Sequence, residues 1–463
     1  MTQFKPYIKP GIKGHMAGIG GVSMAPLAEV LHNMGLEITG SDLHESEAVD
    51  RLRDLGIKVM IGQRAENITP DIDFLVRTAA VRDENAEIIA ARANGIPVFE
   101  RTEAWGAIMM DYKNALCISG THGKTTTTSM STHILIAAHR DPTVMIGGTL
   151  PLLETGHRVG SGDTIILESC EYYDSFLSFF PTVAVVLNIE ADHLDYFDDL
   201  DDIKDSFRQF AALVPQDGYI VANAEDENTM AALAPLGRAL LTFGLESGAD
   251  VYAANIEIAG GGSEFDVIYK GEVFARIKLR VPGMHNIKNA LAATASAICL
   301  GVGADAVVEG LGSFTGALRR FEFKGRINGA DIYDDYAHHP GEIKVLLDAV
   351  KLLDYKRAII VFQPHTYTRT KALFGDFQAE LTRADVLYLT DIYAAREQNS
   401  VGVSSLELAD AIPGSRFVSD FKDLENELRT VALPGDIILT VGAGDIYKVG
   451  EALALSDNII KNS

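Results

Sequence analysis

Cysteine is nearly missing from this chain: among 463 residues only Cys117, Cys170 and Cys299 carry a thiol, and they are far apart. That excludes a disulfide framework and a cysteine-rich metal centre, and it fits a reducing compartment. No run of about eighteen apolar residues occurs, so no membrane-spanning helix is expected and no membrane partner. Residues 1–11 hold Lys5, Pro6, Lys9 and Pro10 and lack the apolar core of a secretory leader, so a cytoplasmic location is expected. Long basic runs are absent too. With a net charge of −24 and a pI of about 4.9, the overall field repels nucleic acid, which is not expected as a partner. Internal repeats, heptads and low-complexity tails are also missing. What remains is an ordinary globular composition, 47% hydrophobic and 22% charged, long enough for two to four domains with ample core.

The most informative stretch is Ser119-Gly120-Thr121-His122-Gly123-Lys124-Thr125-Thr126. It follows a short apolar run, Ala115–Ile118, and precedes a helical segment. Strand, glycine turn and helix form the context of a phosphate-binding loop. Glycines let successive backbone amides point at one anion, and the helix N-terminus adds partial positive charge. Lys124 is placed to reach the β- and γ-phosphates, and Thr125 to put a hydroxyl on Mg²⁺. The spacing is the short G-x-x-G-K-T form, because Ile118 stands where a longer loop has its first glycine. A plain Gly/Thr-rich turn is the competing reading.

Residues 1–110 read as one α/β unit. Ala17-Gly18-Ile19-Gly20-Gly21 follows a strand and opens a helix, and Leu36–Asp42 is a strand ending in an acid. The glycine fingerprint is incomplete, since Ser23 holds its third place. A diphosphate site and a simple tight turn stay equally open, with Asp42 placed for a ribose or base contact. Residues 111–318 form the second unit. Its strands Thr164–Leu167 and Val183–Leu187 end in Glu168 and in Asn188–His193. Ligands bind at the carboxyl ends of such strands. Glu168 is therefore a candidate oxygen ligand of Mg²⁺, and His193, within the acidic run Glu190–Asp195, a candidate second ligand. Residues 251–281 read as an antiparallel meander flanking the main sheet. Asn286 and Asn289 share one helical face, suited to a purine contact or a cap. Residues 319–463 form a third parallel α/β unit. Its strand ends carry Asp334–Pro340, Gln363–Thr370 and Gly442–Asp445, three polar loops on one sheet edge. His338-His339-Pro340 also fits a helix-entry cap.

In this order the motifs resemble the Mur ligase family over nearly the whole chain. The resemblance rests on His15–Gly21, Gly40-Ser41-Asp42, Gly120–Thr126, Asn188–His193, Gly283–Asn289, Arg319-Arg320-Phe321, Asp334–Pro340 and Phe362–His365. It implies three domains: a Rossmann-like N-terminal domain, a central P-loop ATPase-type domain with a mostly parallel sheet and a small antiparallel flank, and a Rossmann-like C-terminal lid. It implies that Gly18, Ile19, Gly20 and Gly21 take the diphosphate of a UDP-sugar, with Asp42 near uridine. Gly120, Thr121, His122, Gly123, Lys124, Thr125 and Thr126 bind the ATP phosphates. Thr125 and Glu168 hold one Mg²⁺, and His193 a second. Asn289 faces adenine, Arg320 and Asp335 reach the nucleotide, and His365 and Arg369 face the amino acid and the sugar carboxylate.

The activity so implied is ATP-dependent joining of L-alanine to the carboxylate of UDP-N-acetylmuramate in cytoplasmic peptidoglycan precursor synthesis. It proceeds through an acyl phosphate sheltered from water by domain closure, in a monomer or homodimer. Two departures stand out. Cys170 replaces an acid of the family's common pattern in Glu168–Asp174, and Thr366 stands where many members carry arginine. The carbamylated lysine of other members is not assigned here to Lys204. A wall-recycling ligase that attaches a preformed peptide, and a nucleotide-binding regulator without ligase activity, are the alternatives.

Overall fold

Short runs of β-branched and aliphatic residues alternate with helices along the chain, and each run becomes a strand of one of three sheets. The computed structural model describes residues 2–461 except 79, 195, 260 and 396, with only the backbone described for 456–461. Asp195, the end of the acidic run, thus lies outside the described residues.

The first sheet contains β1 (Lys13–Ala17), β2 (Glu37–Asp42), β3 (Lys58–Ile61), β4 (Phe74–Arg77) and β5 (Val98–Glu100), in the order β3-β2-β1-β4-β5. Every pairing is parallel. The strand order reverses at β1, so its carboxyl end, where Gly18–Gly21 lies, is the topological switch point.

The second sheet contains β6 (Asn114–Ser119), β7 (Thr143–Leu150), β8 (Thr155–Arg158), β9 (Thr164–Glu168), β10 (Val183–Val186), β11 (Tyr219–Asn223) and β12 (Leu241–Gly244). It continues through β13 (Val251–Ala259), β14 (Gly262–Tyr269) and β15 (Glu272–Leu279), in the order β15-β14-β13-β12-β11-β10-β6-β9-β7-β8. β6 is flanked by β10 and β9, both parallel to it. Their carboxyl ends therefore bring the glycine loop, Glu168 and the Asn188–His193 segment side by side. β8 runs antiparallel to β7.

The third sheet holds β16 (Glu322–Ile327), β17 (Ala330–Asp335), β18 (Arg357–Phe362), β19 (Val386–Leu389), β20 (Arg416–Phe417) and β21 (Asp436–Val441), ordered β16-β17-β21-β18-β19-β20. All its pairs are parallel except β16 with β17. That antiparallel edge departs from the wholly parallel sheet expected here. Asp335 and Phe362 both pair with Val441, so three polar loops leave the same edge, as expected.

The chain divides into two compact units: residues 1–254, 267–275 and 289–311, and residues 255–266, 276–288 and 312–463. Within the first, one apolar core runs from Phe4 to Leu233 beneath both the first sheet and the strands β6, β9 and β10. Trp105 lies wholly inside it, and its indole donates to the Ser23 carbonyl (3.2 Å). That bond ties helix Arg101–Met109 to the start of helix Met24–Asn33. No helix among the described residues is long and apolar enough to cross a membrane.

Under the first sheet lies a buried charge. Glu87 accepts from Ser41 Oγ (2.7 Å) and Asn67 Nδ2 (2.6 Å), and His15 Nε2 lies 3.5 Å away with neither side chain exposed. Burial alone raises the carboxyl pKa, but the His15, Asn67 and Ser41 contacts outweigh it and leave the group below its ordinary value. The carboxylate thus stabilises the fold above the usual carboxylate range, and that contribution fades as pH falls through the lowered value. Glu87→Ala strands its partners and is expected to lower unfolding stability by about 3 kcal/mol in urea titration. A loss below about 1 kcal/mol contradicts a structural role for the cluster.

Candidate active site

After Ser119 the chain must turn into helix Lys124–Ala137 within four residues. Gly120 (φ +143°) and Gly123 (φ +84°) make the turn. A Cβ at Gly120 meets Leu187 Cβ at 2.9 Å, and one at Gly123 meets Asn289 Oδ1 at 2.7 Å. Both positions therefore demand glycine for conformation, and Gly120 for space as well. Asn188 braces the loop from outside: its Oδ1 accepts from the His122 amide (2.8 Å) and its Nδ2 donates to the His122 carbonyl (3.1 Å). Thr121 Oγ1 accepts from the Glu190 amide (2.9 Å). The first-turn amides of the helix lack intrahelical acceptors and face the anion site of such a loop.

Lys124 Nζ donates to the carbonyls of Gly120 and Thr121 and to Glu171 Oε2 (3.0 Å). Burial pushes the ammonium toward neutrality, but Glu171 more than offsets it and raises the pKa above that of an ordinary lysine. The cation therefore stays charged inside the protein. Thr125 Oγ1 donates to Glu168 Oε1 (3.0 Å), and Glu168 Oε2 accepts from the Gly147 amide (2.7 Å). A hydroxyl and a carboxylate this close are a hard-oxygen pair that fits Mg²⁺. The His193 ring stacks on Tyr172 (centroids 4.3 Å apart, 22°) and its Nε2 lies 3.8 Å from Asp192 Oδ2. Tyr173, Asp174 and His193 all have φ between +51° and +55°. Such strain in non-glycine residues gathers at functional sites. Thr127 Oγ1 donates to Asn289 Oδ1 (3.3 Å), which ties that amide to the loop helix.

At the first switch point the Gly20 amide donates to Asp42 Oδ2 (2.9 Å), while Asp42 Oδ1 accepts from the Leu43 amide (2.7 Å). Gly18 (φ +79°) and Ile19 both donate to the Ser41 carbonyl. Gly18, Ile19, Gly20 and Asp42 thus belong to one hydrogen-bonded turn, with Gly21 donating back to the Gly18 carbonyl (3.2 Å).

The C-terminal unit has its own cluster. Asp335 is buried and accepts from the amides of Phe321 (2.7 Å) and Ala337 (2.8 Å). Burial raises its carboxyl to about 6, against the opposing pull of Arg320. The Arg320 guanidinium lies 5.3 Å over the Tyr336 ring and 3.7 Å from Glu342. His365 Nδ1 is buried with no hydrogen-bond partner among the described residues. Its ring stacks on Tyr393 (5.7 Å) and lies 5.6 Å from His338. Burial, then His338 and Arg369, lower its pKa to about 4, so the imidazole is neutral at neutral pH. Arg369 is therefore near it. Of the His338-His339 pair, His339 caps helix Pro340–Val350 by accepting from the Gly341 amide (3.2 Å). Asn286 likewise serves the backbone, donating to the Pro282 carbonyl (2.7 Å).

Three family models match the chain: "Mur ligase family, catalytic domain" at residues 13–113, "Mur ligase middle domain" at 118–297 and "Mur ligase, glutamate ligase domain" at 319–444. The chain is 45% identical over 443 residues to UDP-N-acetylmuramate–L-alanine ligase of Clostridium novyi, covering 95% of this chain and 96% of that one. The chain belongs to the Mur ligase family. The corresponding Clostridium perfringens ligase is 46% identical, with 95% and 97% covered. The crystal structure of UDP-N-acetylmuramate–alanine ligase MurC from Thermotoga maritima superposes with a TM-score of 0.81 at 28% identity, covering 98% of this chain and all of that one. A murein peptide ligase from Psychrobacter arcticus, 24% identical with a TM-score of 0.69, shares the fold. The three-domain α/β architecture is thus that of the Mur ligases.

Within this Mur ligase, two groups that the sequence shows only as members of motifs, with no role of their own, make central contacts. Glu171 holds Lys124, and its signal was its place three residues past Glu168 at a strand end. Arg319 links the C-terminal loops: it donates to Asp334 Oδ2 (3.0 Å) and to the Gly442 carbonyl (2.6 Å), and its guanidinium lies 4.9 Å from the Tyr336 ring and 4.6 Å from the Tyr447 ring. Lys204 forms only an i,i+3 pair with Asp201 (3.3 Å) among the described contacts.

Because Arg320 is the cation that holds the Asp335 charge, Arg320→Ala is expected to move the carboxyl midpoint above about 6, as followed by carbon NMR. A midpoint unchanged or lowered contradicts this electrostatic assignment.

Proposed function

We propose that this chain is an ATP-dependent ligase that joins L-alanine to the carboxylate of UDP-N-acetylmuramate, releasing ADP and phosphate, in the cytoplasmic stage of peptidoglycan precursor synthesis. The observation that carries the reading is the charged, Glu171-paired Lys124 in a phosphate loop beside the Thr125–Glu168 pair, in a chain about 45% identical to alanine-adding ligases over nearly its full length.

In this reading residues 1–110 bind the UDP-sugar, with the diphosphate at Gly18–Gly21 and uridine near Asp42. Residues 111–318 bind ATP, with the phosphates on Gly120–Thr126 and adenine near Asn289. Residues 319–463 supply Arg320 and Asp335 to the nucleotide, and His365 and Arg369 to the amino acid and the sugar carboxylate.

A carboxylate does not react with an amine at neutral pH. Attack of a carboxylate oxygen on the γ-phosphorus, with departure of ADP, converts it to an acyl phosphate. Negative charge on the phosphoryl oxygens is met by the Lys124 ammonium and the loop amides, which are already oriented. Thr125 and Glu168 are the residues that would hold one Mg²⁺, and His193 a second; Mg²⁺ supplies further charge neutralisation there. The alanine amino group must be unprotonated to attack. Attack on the acyl carbon gives a tetrahedral oxyanion, which collapses to the amide and expels phosphate. Every charge change falls on substrate atoms, so no protein nucleophile is required.

Phosphate release is the test. With ATP and Mg²⁺ present, release should depend on both UDP-N-acetylmuramate and L-alanine and should accompany a new amide by mass. Dependence on a preformed peptide in place of alanine points instead to the recycling reaction, and ATP binding without release points to a regulator. Lys124→Ala should lower kcat at least about 10³-fold, comparable to losing a main electrostatic stabiliser, while UDP-sugar binding measured calorimetrically persists. Loss of both in a folded variant contradicts separate sites.

A further inference from the structure

None of the roles above uses Glu171. Its side chain is 3% exposed, and both carboxylate oxygens approach Lys124 Nζ, at 3.0 and 3.3 Å. The ammonium has three protons. The Gly120 and Thr121 carbonyls and the Glu171 carboxylate are acceptors enough for all of them. A phosphate oxygen can bond this ammonium only by displacing one acceptor. The two carbonyls belong to the loop itself, whose path is fixed by Gly120, Gly123 and the Asn188 brace. The carboxylate is the acceptor carried on a side chain that can rotate away. It also has the sign and geometry of a phosphate edge.

We propose that Glu171 is a positioning residue that stands in for the nucleotide's phosphates. Before nucleotide arrives it keeps the Lys124 ammonium paired and aimed into the loop. When phosphate enters, the carboxylate yields its place. Glu171 thus sets how tightly nucleotide binds, because each binding event must first break the Lys124–Glu171 pair. The inference rests on the phosphate-loop reading of Gly120–Thr126.

Glu171→Gln tests it on the full-length protein, because the amide keeps the shape and removes the charge. Two measurements are made: calorimetric binding of ADP without divalent metal, and thermal unfolding with and without saturating ADP. The free variant should melt below the wild type, since a largely enclosed cation has lost its charged partner. The ADP-saturated forms should melt together, and ADP should bind about fivefold or more tightly to the variant. Glu171→Asp, which draws the carboxylate back by one methylene, should fall between the two. Equal or weaker ADP binding, with melting lowered by the same amount in free and saturated protein, overturns the proposal in favour of a purely structural pair. Weakened Mg-ATP binding with metal-free ADP unchanged overturns it in favour of a metal ligand. If wild-type protein binds no ADP at all, the phosphate-loop reading itself fails; if it binds and the variant is no tighter, only the stand-in role fails.

Discussion

A single, largely enclosed ammonium organises the glycine loop after β6. Lys124 stays charged within the fold because the attraction of Glu171 outweighs desolvation, and two loop carbonyls accept its remaining protons. Those carbonyls point inward because Gly120 and Gly123 take backbone conformations that side chains disfavour, Gly120 in space that a Cβ would not share. The loop keeps its path because Asn188, at the end of the neighbouring strand β10, bonds both polar groups of the His122 backbone. Parallel β9 and β10 on either side of β6 place Glu168 and the Asn188–His193 segment at the same edge. Sheet order, glycine placement and charge balance are thus one arrangement.

The C-terminal unit uses burial differently. Desolvation raises the Asp335 carboxyl to about 6 and lowers the His365 imidazole to about 4. One acid is therefore held near its titration point and one base is kept neutral, both at the carboxyl edge of a parallel sheet. Arg319, clasped by Asp334, the Gly442 carbonyl and two tyrosine rings, joins the loops that carry these groups. Binding chemistry of this kind needs no covalent nucleophile, in keeping with a reaction whose charge changes fall on substrate atoms.

Much of this was legible in the sequence. Apolar runs such as Ala115–Ile118 and Val183–Leu187 became central strands because they are buried on both faces and read as continuous hydrophobic stretches. Thr125, placed by the loop motif, and Glu168, placed by strand-end logic, lie 3.0 Å apart. Edge strands were harder to see. β8, Thr-Gly-His-Arg, has no apolar pattern and is a strand because β7 pairs with it. β16 carries an irregularity between Phe323 and Gly325 that breaks its alternation. Side-chain purposes were hardest of all. His338 and His339 are adjacent in sequence, yet one caps a helix and the other turns toward His365. Glu171 looked like one more acid near Glu168; only folding shows that its partner is Lys124, 47 residues earlier.

Activation of the sugar carboxylate by phosphoryl transfer before nitrogen attacks is tested directly by turnover of UDP-N-acetylmuramate labelled with ¹⁸O in its carboxylate, with mass analysis of the released phosphate. Acyl-phosphate chemistry predicts that one labelled oxygen leaves with phosphate for each amide formed. Unlabelled phosphate alongside normal amide formation contradicts it.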